Sequence, residues 1–236
     1  MLQNRSAATP SGMTSSSLIA KAKSSEKYDR SMEELKMVDL YDFKSIKLIK
    51  KNSQVEKDKS VPERMKRMEA NYHQHGMKRT VEAAIAVNIH GHPHIMLLRI
   101  GNNQKGFYKL PGGRCRRGET EEECLKRKLT KRLAPEDSNE PMPEWIVHGV
   151  ISVWYRPNFE TLLYPYCPAH ITKPKERKLI YLVTIPAGCT IAYPKNYEFI
   201  PVPLFDLYEN SKKFGPIISS LPQVSSKFEF NYLYQE

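Results

Sequence analysis

The chain is 236 residues long and 40% apolar, with 37 Lys and Arg against 26 Asp and Glu for a net charge of +11. That length can bury one substantial core plus extensions, no apolar run is long enough to span a bilayer, and four cysteines without a C-x-x-C pair or a histidine at metal-site spacing predict reduced, mostly buried thiols in an intracellular protein. The charge is concentrated: residues 44–68 hold nine basic side chains against three acidic ones and residues 105–132 hold ten against four, which predicts a polyanionic partner, nucleic acid foremost, with solvated faces as the alternative.

In chain order, residues 1–30 are rich in Ser, Ala and Thr with little apolar periodicity, which predicts a mobile tail. Arg5, Lys21 and Lys23 precede the first acid there, a composition shared with mitochondrial transit peptides. Residues 31–76 predict an N-terminal extension: a strand-like segment around Val38 to Ile49, then a helix that starts near Ser60, has Pro62 in its first turn and stops at Gly76. From Met77 strands dominate. Thr80 to Ile89 and His94 to Ile100 read as short apolar strands joined across His90-Gly-His-Pro93, and Trp145 to Tyr155, Leu179 to Ile185 and Tyr197 to Val202 as further strands. Short helices are expected from Pro203 and from Ile217. Strand runs with interposed helices predict an α/β fold, a three-layer α/β/α sandwich on a mixed β-sheet over 77–205, with a C-terminal helical extension over 206–236.

The segment after Thr120 carries the strongest helix signals. Thr120 with Glu123 makes a capping-box pattern, Glu121 to Glu123 suit a helix N-terminus, and Leu125, Leu129 and Leu133 form a stripe for burial. Together with the preceding Pro111-Gly-Gly-Arg-Cys-Arg-Arg-Gly-Glu119, this segment resembles a Nudix box, G-x5-E-x7-R-E-U-x-E-E-x-G-U. Aligned on Gly113, Glu119 and Arg127, the pattern puts Lys128, Lys131 and Arg132 where three catalytic glutamates stand. Spaced i, i+3 and i+4, they share one helical face. In a Nudix hydrolase that face holds a divalent metal through anionic oxygens. A cation there repels metal by roughly 4 kcal/mol per unit-charge product at about 4 Å and an effective dielectric near 20. No catalytic residue, cofactor or metal is therefore expected. A hydrolase working through Glu119 and Glu121 to Glu123 in a displaced register is the alternative.

Further stretches are similar to the small subunits of pre-mRNA cleavage factor Im, a Nudix-fold family: Glu56-Lys-Asp58, Arg79-Thr-Val-Glu82, Trp154-Tyr-Arg-Pro-Asn-Phe-Glu160, Tyr164-Pro-Tyr166, Pro168-Ala-His-Ile-Thr-Lys-Pro-Lys175 and Gly215-Pro-Ile-Ile-Ser-Ser-Leu-Pro222. The likeness runs from about Leu40 to the C-terminus. It implies a non-catalytic nuclear homodimer that binds the single-stranded RNA element UGUA upstream of poly(A) sites. It also implies a larger RRM-containing subunit as partner, poly(A) polymerase as a further candidate, and no membrane.

Residue by residue, the resemblance gives Glu56, Arg64 and Glu82 as base-reading side chains and Phe107 as the stacking ring, next to Gly106 and Tyr108. Leu110, Phe214 and Gly215 line the RNA groove, and Tyr164 and Tyr166 meet the larger subunit. These types suit the task, because a carboxylate is tolerable near phosphates only when aimed at a base edge, and aromatic planes stack on any base. Adjacent residues of a strand face opposite ways, so only one of Phe107 and Tyr108 can readily stack. Core packing of the two rings and surface ion pairing of the carboxylates are the alternatives. The chain departs from the family in a longer 101–109 loop, in Tyr108 for Phe and in Phe214 for Tyr. His73, His75, His90, His92 and His94 are expected to be exposed rather than metal ligands. A non-hydrolysing sensor of dinucleotides or nucleoside polyphosphates, using Lys128, Lys131 and Arg132 on phosphates, is the remaining alternative.

Overall fold

The computed structural model describes residues 36–55, 58, 60–101, 106–136 and 140–234. The expected 1–30 tail lies outside them. Residues 37–236 form one compact unit.

The organising element is β3 (Lys78–Ile89), whose alternation sends Val81, Ala83, Ile85 and Val87 to one core and Ala84 and Ala86 to another. It turns into β4 (His92–Ile100) through His90 and Gly91, both at positive φ (52° and 78°), the backbone that a two-residue hairpin with native twist requires. The main sheet runs β10 (Glu198–Pro203), β4, β3, β8 (Glu176–Thr184), β7 (Ile146–Arg156). Only β3 and β8 are parallel neighbours along it, so the sheet is mixed.

β3 and β4 pair from Ile85↔Met96 to Ile89↔His92 and then part. Into the gap come β5 (Phe107–Lys109), paired to β4, and β6 (Gly112–Arg114), paired to β3. This splay opens the middle of the sheet.

Two layers cover the sheet. One face packs against Leu125, Leu129 and Leu133 of α2 (Glu121–Leu133) and against a parallel ribbon of β2 (Lys47–Lys51) and β9 (Thr190–Pro194). The other carries the ribbon of β1 (Lys36–Leu40) with β11 (Phe228–Tyr232). Four short helices complete that layer: α3 (Leu204–Leu207), α4 (Ser211–Phe214), α5 (Pro216–Ser219) and α6 (Leu221–Ser225). The result is an α/β/α sandwich. α1 (Val61–His75) starts on the Ser60 cap, ends at Gly76 with φ 72°, and buries only Met68.

Two details differ from the sequence pattern. The segment around Val38 to Ile49 is two strands parted by a 3-10 turn, Phe43–Ser45, where the Asp42 side chain accepts from the Lys44 N–H. The C-terminal extension is not helical throughout but ends in β11. Cys115, Cys124 and Cys189 are buried, Cys167 is exposed, and all four are free thiols.

Candidate nucleic-acid interface

Where the sheet splays, a cavity of about 530 Å³ lies between α1, β3, β6, α2 and β8. Its floor is the Gly112–Gly113 pair. Gly112 sits opposite Glu82 in the β3–β6 ladder, and a Cβ there would come within 2.1 Å of the Val81 carbonyl oxygen, so only glycine lets the strands close. A Cβ on Gly113 would stand 3.0 Å from Lys128 Cε. The two glycines thus carry Glu82 on one side and Lys128 on the other.

Two expected base-reading positions and one expected groove-lining position can be placed. Arg64, exposed on α1, Glu82 on β3 and buried Leu110 after β5 all line this cavity. Glu56 lies outside the described residues. Glu82 is not free, because Lys178 on β8 donates to its Oε1 at 2.6 Å. Lys178 was missed in the sequence. Its place follows from the parallel register, which sets Lys178 beside Thr80, two residues from Glu82 on the same side of β3.

The neighbouring surface is aromatic. Phe107 is 78% exposed, whereas Tyr108 turns inward and packs on Phe214 with ring centroids 4.7 Å apart, Phe214 itself being buried. Gly106 is half-buried at the entry to β5. Gly215 has φ 82°, within reach of glycine but strained for other residues, and no atom crowds its missing Cβ. Lys109, between the rings and Leu110, donates to the Tyr197 hydroxyl at 2.9 Å and also lines the cavity.

Electrostatically the cavity is basic: nine Lys or Arg line it against two Glu. Glu176, 2% exposed in the cavity lining, accepts from Arg156 Nε (2.9 Å), Lys78 Nζ (2.8 Å) and Thr80 Oγ1 (2.7 Å). Burial pushes its carboxyl up, but the Lys78 and Lys178 ammoniums outweigh that and hold it at about 2. Arg114 donates to Asn71 Oδ1, which ties β6 to α1.

The box helix forms as its caps predict, with both hydrogen bonds of the Thr120–Glu123 capping box made. Lys51 closes the other end by donating to the carbonyls of Lys131 and Ala134. Lys128 and Arg132 line the cavity, while Lys131 is exposed and outside it. Burial first, then the Arg127, Lys131 and Arg132 charges, hold the Lys128 ammonium below the usual lysine range.

Every carboxylate of the box segment is engaged. Arg127 donates to Glu119 through Nε (2.5 Å) and Nη2 (2.6 Å) and the Arg116 N–H adds a third bond (2.7 Å), so the Glu119 carboxyl lies at about 2, chiefly through Arg127. Glu121 Oε1 accepts from Arg177 (2.6 Å) and Arg79 (2.9 Å), Glu122 faces Lys126 at 3.6 Å, and Glu123 accepts from the Thr120 N–H. The sequence signal for Glu119 with Arg127 is thus a bidentate clamp that shapes the loop.

On the far side of β7, Tyr164 bridges Tyr155 and lies 5.9 Å from the Tyr166 ring, and Tyr166 and Leu162 are 59% and 58% exposed. Of the five clustered histidines, His73, His75, His90 and His92 are exposed and His94 is half-buried.

A mixed sheet splayed by a glycine-floored loop, with the box helix laid against it, defines a Nudix domain, and residues 36–228 match the NUDIX_2 family model, described as nucleotide hydrolase. The chain is 47% identical over 197 residues to pre-mRNA cleavage factor Im 25 kDa subunit 2 of Arabidopsis thaliana, spanning 84% of this chain and 96% of that one. It is 42% identical to subunit 1 of the same plant (84% and 87%) and 40% identical to cleavage and polyadenylation specificity factor subunit 5 of Dictyostelium discoideum (84% and 98%). The chain belongs to this family of cleavage factor Im 25 kDa subunits.

Proposed function

We propose that the chain is the RNA-reading, non-catalytic small subunit of a cleavage factor Im complex in nuclear pre-mRNA 3′-end processing, recognising UGUA in single-stranded RNA. The observation that carries this reading is the meeting of Arg64, Glu82 and Leu110, from segments far apart in sequence, in one basic cavity beside an exposed Phe107. Cations draw the backbone, a carboxylate reads a base edge, and the free ring stacks. Hydrolysis is disfavoured because Lys128 and Arg132 occupy the cavity side of the box helix and the box carboxylates are already clamped by cations and N–H groups. Partners follow the family: a second copy of the chain, poly(A) polymerase as a further candidate, and a larger RRM-containing subunit, for which Tyr164 and exposed Tyr166 offer aromatic anchors.

Glu82→Gln tests the reading. It keeps size and polarity but removes the charge shared with Lys178, and should cut the preference for UGUA over a scrambled RNA by about 1 to 3 kcal/mol, the worth of one well-placed base contact. Equal preference in wild type and variant would remove Glu82 from base recognition. A second reading, a nucleoside polyphosphate held without cleavage, is favoured by Lys128 and Arg132 lining the same cavity. Such a ligand would compete with RNA.

A further inference from the structure

The chain departs from a catalytic Nudix box by placing cations where carboxylates would stand, and the RNA reading leaves them without a task. Lys128 and Arg132 point into the cavity, and no carboxylate pairs with either among the described residues. Arg127, their neighbour on the helix, is by contrast fully committed to Glu119. Lys128 lies against Gly113 and Glu82 against Gly112, on opposite faces of β6, and both side chains line the one cavity. Partial burial, and after it crowding by other cations, already depress the Lys128 ammonium, a tension that an anion would relieve.

We propose that Lys128 and Arg132 form a seat for one phosphodiester of the bound single strand, adjoining the nucleotide whose base meets Glu82. The helix face that holds metal in a hydrolase would then hold an RNA phosphate directly, with fixed ammonium and guanidinium charges doing what a bound cation does elsewhere. The inference rests on the RNA reading. It assigns these two side chains to affinity and register, not to discrimination, because a phosphate carries no sequence information.

The test is UGUA RNA binding by fluorescence anisotropy over a series of KCl concentrations. Wild type is compared with Lys128→Gln, Arg132→Gln, the double variant and, as a charge-matched control, Lys126→Gln, whose exposed side chain on the same helix faces Glu122. Each released contact on a single strand removes about 0.7 from the slope of log affinity against log salt. The double variant is therefore expected to lose about 1.4 from that slope while keeping the ratio of UGUA to scrambled affinity. The control is expected to match wild type. RNAs with a single neutral methylphosphonate linkage locate the seat: one linkage should weaken wild type and leave the double variant unaffected. An unchanged slope in the double variant, with UGUA preference intact in wild type, overturns the seat and leaves the RNA reading standing. Wild-type protein without UGUA preference overturns the RNA reading and the seat with it. A methylphosphonate effect that is the same in wild type and double variant also overturns the seat.

Discussion

Phe107 and Tyr108 are neighbours in sequence and opposites in environment, and the difference decides what each can do. Phe107 leaves 78% of its surface to solvent, a costly placement for a large apolar ring that stacking on a base would redeem. Tyr108 is spent on Phe214. Phe107→Ala is accordingly expected to weaken UGUA RNA binding by about 1 to 3 kcal/mol, the worth of one stacked base, with the melting temperature unchanged, measured by anisotropy alongside thermal unfolding. Undiminished affinity would exclude Phe107 from the site. The opposed facing of these two rings could be read from strand alternation alone. Lys178 could not, because its partnership with Glu82 depends on the β3–β8 register, a long-range pairing that no local pattern encodes. Lys131 shows the reverse limit: helix spacing put it on one face with Lys128 and Arg132, but the cavity reaches only those two.

Among the elements, β3, β7 and β8 are fastened below the cavity by Glu176, which gathers Lys78 and Thr80 from β3 and Arg156 from β7. Removing that carboxylate leaves the buried Arg156 and the half-buried Lys78 without their shared partner, and Glu176→Ala is expected to cost roughly 3 to 5 kcal/mol. The linkage has a definite sign. Folding lowers the Glu176 pKa from 4.5 to about 2, so its contribution is complete above pH 4.5 and is lost as pH falls toward 2. Denaturant midpoints measured from pH 6 down to pH 2 should show that loss in wild type and a flatter profile in the variant. Identical profiles would contradict the assignment. The capped elements were the most legible: Ser60, Gly76 and Thr120–Glu123 mark helix ends by local hydrogen bonds. The β1–β11 and β2–β9 ribbons were hidden, since each joins segments remote in the chain and both lack long alternating runs.

Across the whole molecule, the Nudix sandwich carries cations, Lys128 and Arg132, on the cavity side of its box helix. The splayed sheet gives the opening, the glycine pair lets Glu82 and Lys128 approach β6 from its two faces, and nine basic side chains line the cavity with two glutamates. The layered α/β/α architecture could be read from the sequence because it rests on periodicity, and the box from its resemblance to the Nudix pattern. The family resemblance also grouped Arg64, Glu82 and Leu110; that all three line one cavity required the folded chain. The central claim is that this surface reads a base sequence without metal. Fluorescence anisotropy of a short UGUA RNA against its scrambled counterpart, at fixed near-physiological salt and with EDTA present, tests it most directly. The account predicts a clear preference for UGUA that EDTA does not alter; equal binding of the two RNAs would reduce the site to a salt-sensitive cationic surface and contradict it.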